Sequence, residues 1–171
     1  MTNLDPYLES LYHLNVGVVG KGSERHERPH KPVMLLTIAD LIEAGEIREN
    51  RIEWTPQLRK RFGELFDQVR TANDKATPEN PFFYLRSESF WHQEAKLGKE
   101  NVVAHLSSPP SIGELNQGLI FGVLDEKLFA LLQSEEGRNE FREAIVSRYF
   151  PGKREELLSL KSKPSLVAEA P

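Results

Sequence analysis

The sequence predicts an α+β fold: a mostly helical single domain with a small antiparallel sheet or hairpin, its elements ordered as in a winged helix. Three observations predict it. Apolar residues recur at helical spacing near 4–14, 30–44, 55–69, 124–134 and 137–150. Aromatic-rich runs at 82–95 flank a polar tetrad, as in a hairpin. The order helix, helix, short strand, helix, hairpin matches winged-helix order, an analogy that assigns no function.

The first helix carries Leu4, Tyr7, Leu8, Leu11 and Tyr12 on one face, with Asp5 and Pro6 suited to its start. The Gly-rich, charged stretch 15–29 reads as a long surface loop. Helix two opens at His30-Lys31-Pro32 and is apolar nearly all round, interrupted by Thr37, Asp40 and Glu43, which marks a buried central helix ending at Gly45. Residues 46–54 read as two short extended pieces about a turn. Thr55-Pro56 opens a third helix with Leu58, Phe62, Leu65, Phe66 and Val69 inward. Turn chemistry fills 71–81. The hairpin 82–95 turns at Arg86-Ser87-Glu88-Ser89, residues 101–106 suit a strand, and 107–118 are irregular. Two helices close the domain, stopped by Pro151-Gly152. The domain is expected to span 1–152, with 153–171 a linker or disordered tail.

Composition narrows the chemistry. The 171 residues suffice for one domain with a core. There is no cysteine, which removes disulfides, thiolate metal sites and cysteine nucleophiles and suits a reducing cytoplasm. The first residues carry no signal-peptide pattern, and no apolar run reaches the roughly 18 residues of a membrane span. A net charge of −4 argues against bulk attraction of polyanions. A small, shaped nucleic-acid site stays compatible with it.

No GxSxG or P-loop pattern occurs, and HERPH at 26–30, though it spells HExxH, carries Pro29 and lies in a stretch read as loop where that motif needs a helix. His26 and His30, at i and i+4, are the best pair for a metal, with Pro29 between them and no third ligand near. Two other stretches carry more. RPHKP, residues 28–32, places His30 and Lys31 at the positive end of the buried helix, a setting for one phosphate. The plainer reading, His30 as a cap and Lys31 solvated, stays open beside it. NPFFY, residues 80–84, offers a proline among aromatic rings, at least one or two of them core.

PHKPVMLLTIADLI, followed at a distance by NPFFYLRSESFW, resembles the sulfur-binding domains of Mcr-type restriction endonucleases. The likeness covers roughly residues 4–151, including the closing helical stretch 124–151. Such domains recognise phosphorothioate-modified DNA and usually precede an HNH nuclease domain. The resemblance implies a sulfur and phosphate site at His30, Lys31, Asn80, Pro81 and Tyr84. Asn80 stands where a tyrosine is common, and Tyr84 where a small residue can line the pocket. His105 is the nearest match to a later basic residue.

Sulfur in place of a non-bridging oxygen keeps the negative charge but bonds hydrogen weakly. A reader therefore needs cations for the remaining oxygen and an apolar hollow for the sulfur. Arg25, Arg28 or Arg86 suit a guanine edge, and Arg59, Lys60 and Arg61 suit phosphates that set register. The expected partner is phosphorothioated double-stranded DNA, with a fused or separate nuclease effector and no membrane. The chain itself is expected to be non-catalytic, with no cofactor and no metal. Two other readings remain: a winged-helix regulator without sulfur selectivity, and a metal-dependent hydrolase on His26 and His30.

Overall fold

The computed structural model describes residues 3–71 and 74–159. Its elements run α1 (Asp5–Tyr12), β1 (Val18–Val19), β2 (His26–Glu27), α2 (His30–Glu43), α3 (Pro56–Val69), α4 (Glu79–Tyr84), β3 (Trp91–Ala95), α5 (Glu100–Ala104), α6 (Ile112–Asn116), β4 (Ile120–Leu124), α7 (Glu126–Leu131), α8 (Glu135–Tyr149) and α9 (Arg154–Ser159). Short 3-10 turns lie at Gly22–Glu24, Leu85–Ser87 and Pro151–Lys153.

Helix α2 is the axis of the structure. Every residue from His30 to Ile42 is buried, as an all-round apolar helix must be. It packs against α3, α4 and α8. Gly45 ends it at φ +78°, a left-handed position that glycine takes without strain. Thr37 and Asp40, polar residues in the middle of α2, are satisfied. Thr37 bonds back to the Val33 carbonyl. Asp40 receives Arg61 of α3 at 2.8 Å and Arg142 of α8 at 2.7 Å, so one carboxylate pins three helices.

The α1 end is tied to α8 in the same way. The Tyr149 hydroxyl donates to the Leu11 carbonyl at 2.7 Å and accepts from the Leu14 N–H at 3.0 Å. Arg148 bonds the Tyr12 carbonyl and pairs with Glu27 of β2. These two residues hold both ends of the 15–29 segment. That segment is a β1–β2 ribbon, pairing Val18 with Glu27 and Val19 with His26, where a plain loop was expected.

The mostly helical α+β class holds, with two small antiparallel sheets among the described residues. The hairpin at 82–95 does not form. Residues 79–84 are helix α4, with Phe82 and Phe83 buried in the core, and only 91–95 are strand. Their partner is β4, with Trp91 opposite Leu124 and Ala95 opposite Ile120. The apolar run 120–124 decides the pairing, and Gly122 permits it: a Cβ there would lie 2.0 Å from the Trp91 ring. The expected strand at 101–106 is instead α5. Residues 107–118 hold the capped helix α6, and of the 46–54 pieces only Ile52 pairs, with Gly122. Helix α9 runs past the expected stop and returns Leu157 to the core. The rest of the expected tail, 160–171, lies outside the described residues, as do 72 and 73 of the turn-rich stretch.

Candidate nucleic-acid interface

Four segments meet at the start of α2. They are the 15–17 stretch before β1, Arg28 to Lys31, helix α4, and the 3-10 turn after it. They enclose a cavity of about 470 Å³ lined by Asn15, Val16, Gly17, Arg28, His30, Lys31, Asn80, Pro81, Tyr84 and Ser87. His30, Lys31, Asn80, Pro81 and Tyr84, picked from two distant stretches of sequence, thus share one hollow.

Local chemistry explains each placement. Pro78 and Pro81 sit at the start of α4, where a missing N–H breaks no helical bond. Asn80 bonds the Thr77 hydroxyl through its side chain, which fixes the turn before α4. Tyr84 packs edge-on against Phe83 with its own ring half-exposed at the cavity wall. The Pro81 ring and the Tyr84 face make this wall apolar.

The two expected cations behave otherwise. His30 is buried, and its Nε2–H donates to the Lys75 carbonyl at 2.8 Å. Its ring packs on Phe66 with centroids 4.8 Å apart. Burial lowers its pKa, outweighing the Lys75 carbonyl and the Asp74 charge, so the ring is neutral at pH 7. It makes no capping bond to α2. Lys31 is also buried and spends its charge on Glu88 at 2.7 Å, with a second bond to the Ser87 hydroxyl at 2.9 Å. One of its three donors remains for a ligand. The cation exposed at the cavity is Arg28, which pairs with no carboxylate among the described residues. Its side chain lies over Gly17, where a Cβ would come within 2.9 Å of Nε. The unbonded first amides of α2 add positive potential beside it.

A second cavity, of about 720 Å³, adjoins the first through Arg28, His30 and Asn80 and reaches Arg25, His26, Asp74 and Lys75. His26 closes it. Its Nδ1 donates to the Glu24 carbonyl at 2.8 Å and Nε2 meets Asp74 at 3.0 Å. The Glu24 carbonyl, then Asp74, raises the His26 pKa. Burial of Asp74 opposes its ionisation, but bonds from the Thr71 N–H, His26 and the Thr71 hydroxyl hold its pKa below the usual value. With both ring nitrogens engaged, His26 is a loop pin, which removes the pairing with His30 that a metal reading requires.

The remaining arginines divide. Arg25 lines the second cavity. Arg61 is buried in its pair with Asp40, so the expectation that it touches phosphate is corrected: the inward face of α3 needs it. Arg59 sits 5.3 Å over the Trp54 ring and near Asn116, and neither it nor exposed Lys60 lines either cavity. Arg86 is on no hairpin tip. It stacks 4.0 Å over Phe83 and bonds the Leu106 carbonyl. His105 bonds its own helix at Asn101 and lies outside the cavities. Asn15, Gly17, Ser87 and Glu88 escaped the sequence reading because nothing local marks them. Among the described residues no helix is long and apolar enough to cross a membrane.

A sequence profile of the ScoMcrA-like DNA sulfur-binding domain matches residues 7–160. The structure is similar to the sulfur-binding domain of SprMcrA complexed with phosphorothioated DNA, with TM-score 0.61 and 19% identity over 92% of each chain. It is also similar to the sulfur-binding and SRA domains of ScoMcrA complexed with phosphorothioated DNA, with TM-score 0.60 and 20% identity over 93% of this chain and 49% of that one. No curated protein sequence matches the chain.

Proposed function

Because the chain belongs to the ScoMcrA-like DNA sulfur-binding domain family, we propose that the cavity at the start of α2 is where it takes the sulfur of phosphorothioated double-stranded DNA. The domain is a DNA-binding module and not a catalyst. The observation that carries the assignment is the meeting of His30, Lys31, Asn80, Pro81 and Tyr84 around one hollow.

The chemistry suits the ligand. Sulfur is large, polarisable and easily stripped of water, so it belongs against the Pro81 ring, the Tyr84 face and the neutral His30 imidazole. The phosphorothioate charge then faces Arg28, the free donor of Lys31 and the first amides of α2. Cationic gripping passes from His30 to Arg28. Arg25 lines the adjoining second cavity, which offers room for the neighbouring part of the strand. The net charge of −4 keeps bulk affinity for plain DNA low and leaves room for discrimination.

A binding module acts through something else. We infer a targeting role in a modification-dependent restriction system, with cleavage supplied by a fused or separate nuclease of HNH type, in the cytoplasm where the DNA lies.

The test is binding to one duplex with and without a single Rp phosphorothioate at physiological salt. Wild type is expected to gain about tenfold or more from sulfur, about 1.4 kcal/mol. His30→Ala and Tyr84→Ala lose that gain, the second without effect on folding because the ring is half-exposed. Equal binding of the two duplexes by wild type would refute the assignment and favour a regulator without sulfur selectivity.

A further inference from the structure

Lys31 and Glu88 meet at the floor of this cavity, both nearly out of solvent, with side chains 7% exposed and Nζ 2.7 Å from Oε2. Lys31 faces the cavity and Glu88 stands behind it. The same Oε2 accepts the Asn15 N–H at 2.8 Å, and Asn15 forms part of the opposite wall. Ser87 completes the set, accepting from Lys31 and donating to the Tyr84 carbonyl at 3.1 Å. A carboxylate behind an anion site is an unexpected choice, because it weakens the cation that the ligand would meet.

We propose that Glu88 is a specificity-determining residue: by neutralising Lys31 at the cavity floor, it makes the site reject an ordinary phosphate oxygen while still accepting sulfur. The proposal rests on the cavity being the sulfur site. Both ligands carry one negative charge, so a free ammonium would attract either. They differ in what they lose on entering. A phosphate oxygen gives up strong hydrogen bonds to water and needs a full charge to replace them. Sulfur gives up little. A floor whose charge is already spent leaves the oxygen undercompensated and costs the sulfur almost nothing. Specificity then comes from a penalty on the wrong ligand more than from extra grip on the right one. Glu88 also ties Asn15 to Lys31, so the wall and the charge are set by one carboxylate.

The test compares wild type, Glu88→Gln and the double variant Lys31→Met/Glu88→Gln on duplexes with and without one phosphorothioate, across a salt series, with thermal unfolding as the folding control. Glutamine keeps the shape and frees the ammonium. Glu88→Gln is expected to tighten on the plain duplex and change little on the modified one, so the preference for sulfur falls by about tenfold. The logarithmic salt slope for plain DNA steepens by about 0.9, as for one added phosphate contact. The double variant gives up the Lys31 donor as well, so it binds both duplexes more weakly than wild type, but with no free ammonium at the floor its preference for sulfur stays above that of Glu88→Gln. Should Glu88→Gln fail to fold, the double variant alone decides, because loss of its preference overturns the proposal. An unchanged preference and slope in folded Glu88→Gln overturns it too. Equal binding of both duplexes by wild type would bring down the cavity assignment and this proposal with it; a discriminating wild type with an unaltered Glu88→Gln overturns this proposal alone.

Discussion

The Nε2 of His30 lies 2.8 Å from the carbonyl oxygen of Lys75, 45 positions further along the chain. That bond ties the first residue of α2 to the segment leading into α4, and both residues line the second cavity. It also fixes the tautomer, since a carbonyl can only accept.

The pH dependence of folding follows from the two histidines of this region. Burial lowers the His30 pKa, so between its folded value and the unfolded value near 6.5 the unfolded chain binds more protons. Its contribution is complete above pH 6.5 and shrinks as pH falls from there. The His26 pKa is raised, so its contribution is present at pH 6.5 and below and is lost as pH rises through the folded value. The two oppose each other. Thermal unfolding from pH 7.5 to 5.5 is expected to fall more steeply in His26→Asn than in wild type, and to flatten or rise in His30→Asn. Parallel profiles in all three proteins would contradict these shifts.

Arg28 is expected to supply uniform electrostatic grip. Arg28→Ala should weaken modified and plain duplexes alike, with the logarithmic salt slope shallower by about 0.9 and the sulfur preference kept. Gly17→Ala should act in the same direction more mildly, because its Cβ displaces the Arg28 side chain, 2.9 Å from Nε. Titrations over a salt series separate the two effects.

Asp40→Asn removes the carboxylate shared by Arg61 and Arg142 inside the helical core. Breaking a buried pair from one side costs about 3–5 kcal/mol. Urea unfolding should show most of that loss, while Lys60→Ala, on the exposed face of the same α3, should show almost none. A small effect of Asp40→Asn would mean that the glutamates beside these arginines carry the pinning.

Gly122→Ala probes the β3–β4 sheet. The Trp91 ring occupies the space of the missing Cβ, at 2.0 Å, and cannot retreat from a buried position. Overpacking of this kind costs about 1–3 kcal/mol. The unfolding midpoint should drop accordingly, and Gly122→Ala/Trp91→Phe should recover part of it.

Much of the frame was legible one residue type at a time. PHKPVMLLTIADLI announces a buried helix because no face of it is polar, and burial of a helix on all sides needs no knowledge of its neighbours. The hairpin at 82–95 failed for a related reason. Phe82, Phe83 and Phe90 are core residues on any backbone, and two prolines set α4 at a point where aromatic content alone suggested strand. The partner of β3 lay at 120–124, beyond the reach of any local pattern.

The sequence by itself determined that α2 is central and that a basic helix start and a proline-aromatic segment belong to one domain, while the resemblance to sulfur-binding domains named five residues to seek there. Burial and backbone preference act over a few residues, and a linear reading can see them. Only the tertiary structure decided what those residues are electrically. Lys31 is neutralised by Glu88, 57 positions away, His30 is held uncharged by the rings around it, and Arg61 is turned inward by Asp40. How a charge is spent depends on what packs alongside in three dimensions, and that leaves the exposed guanidinium of Arg28 as the cation facing the cavity.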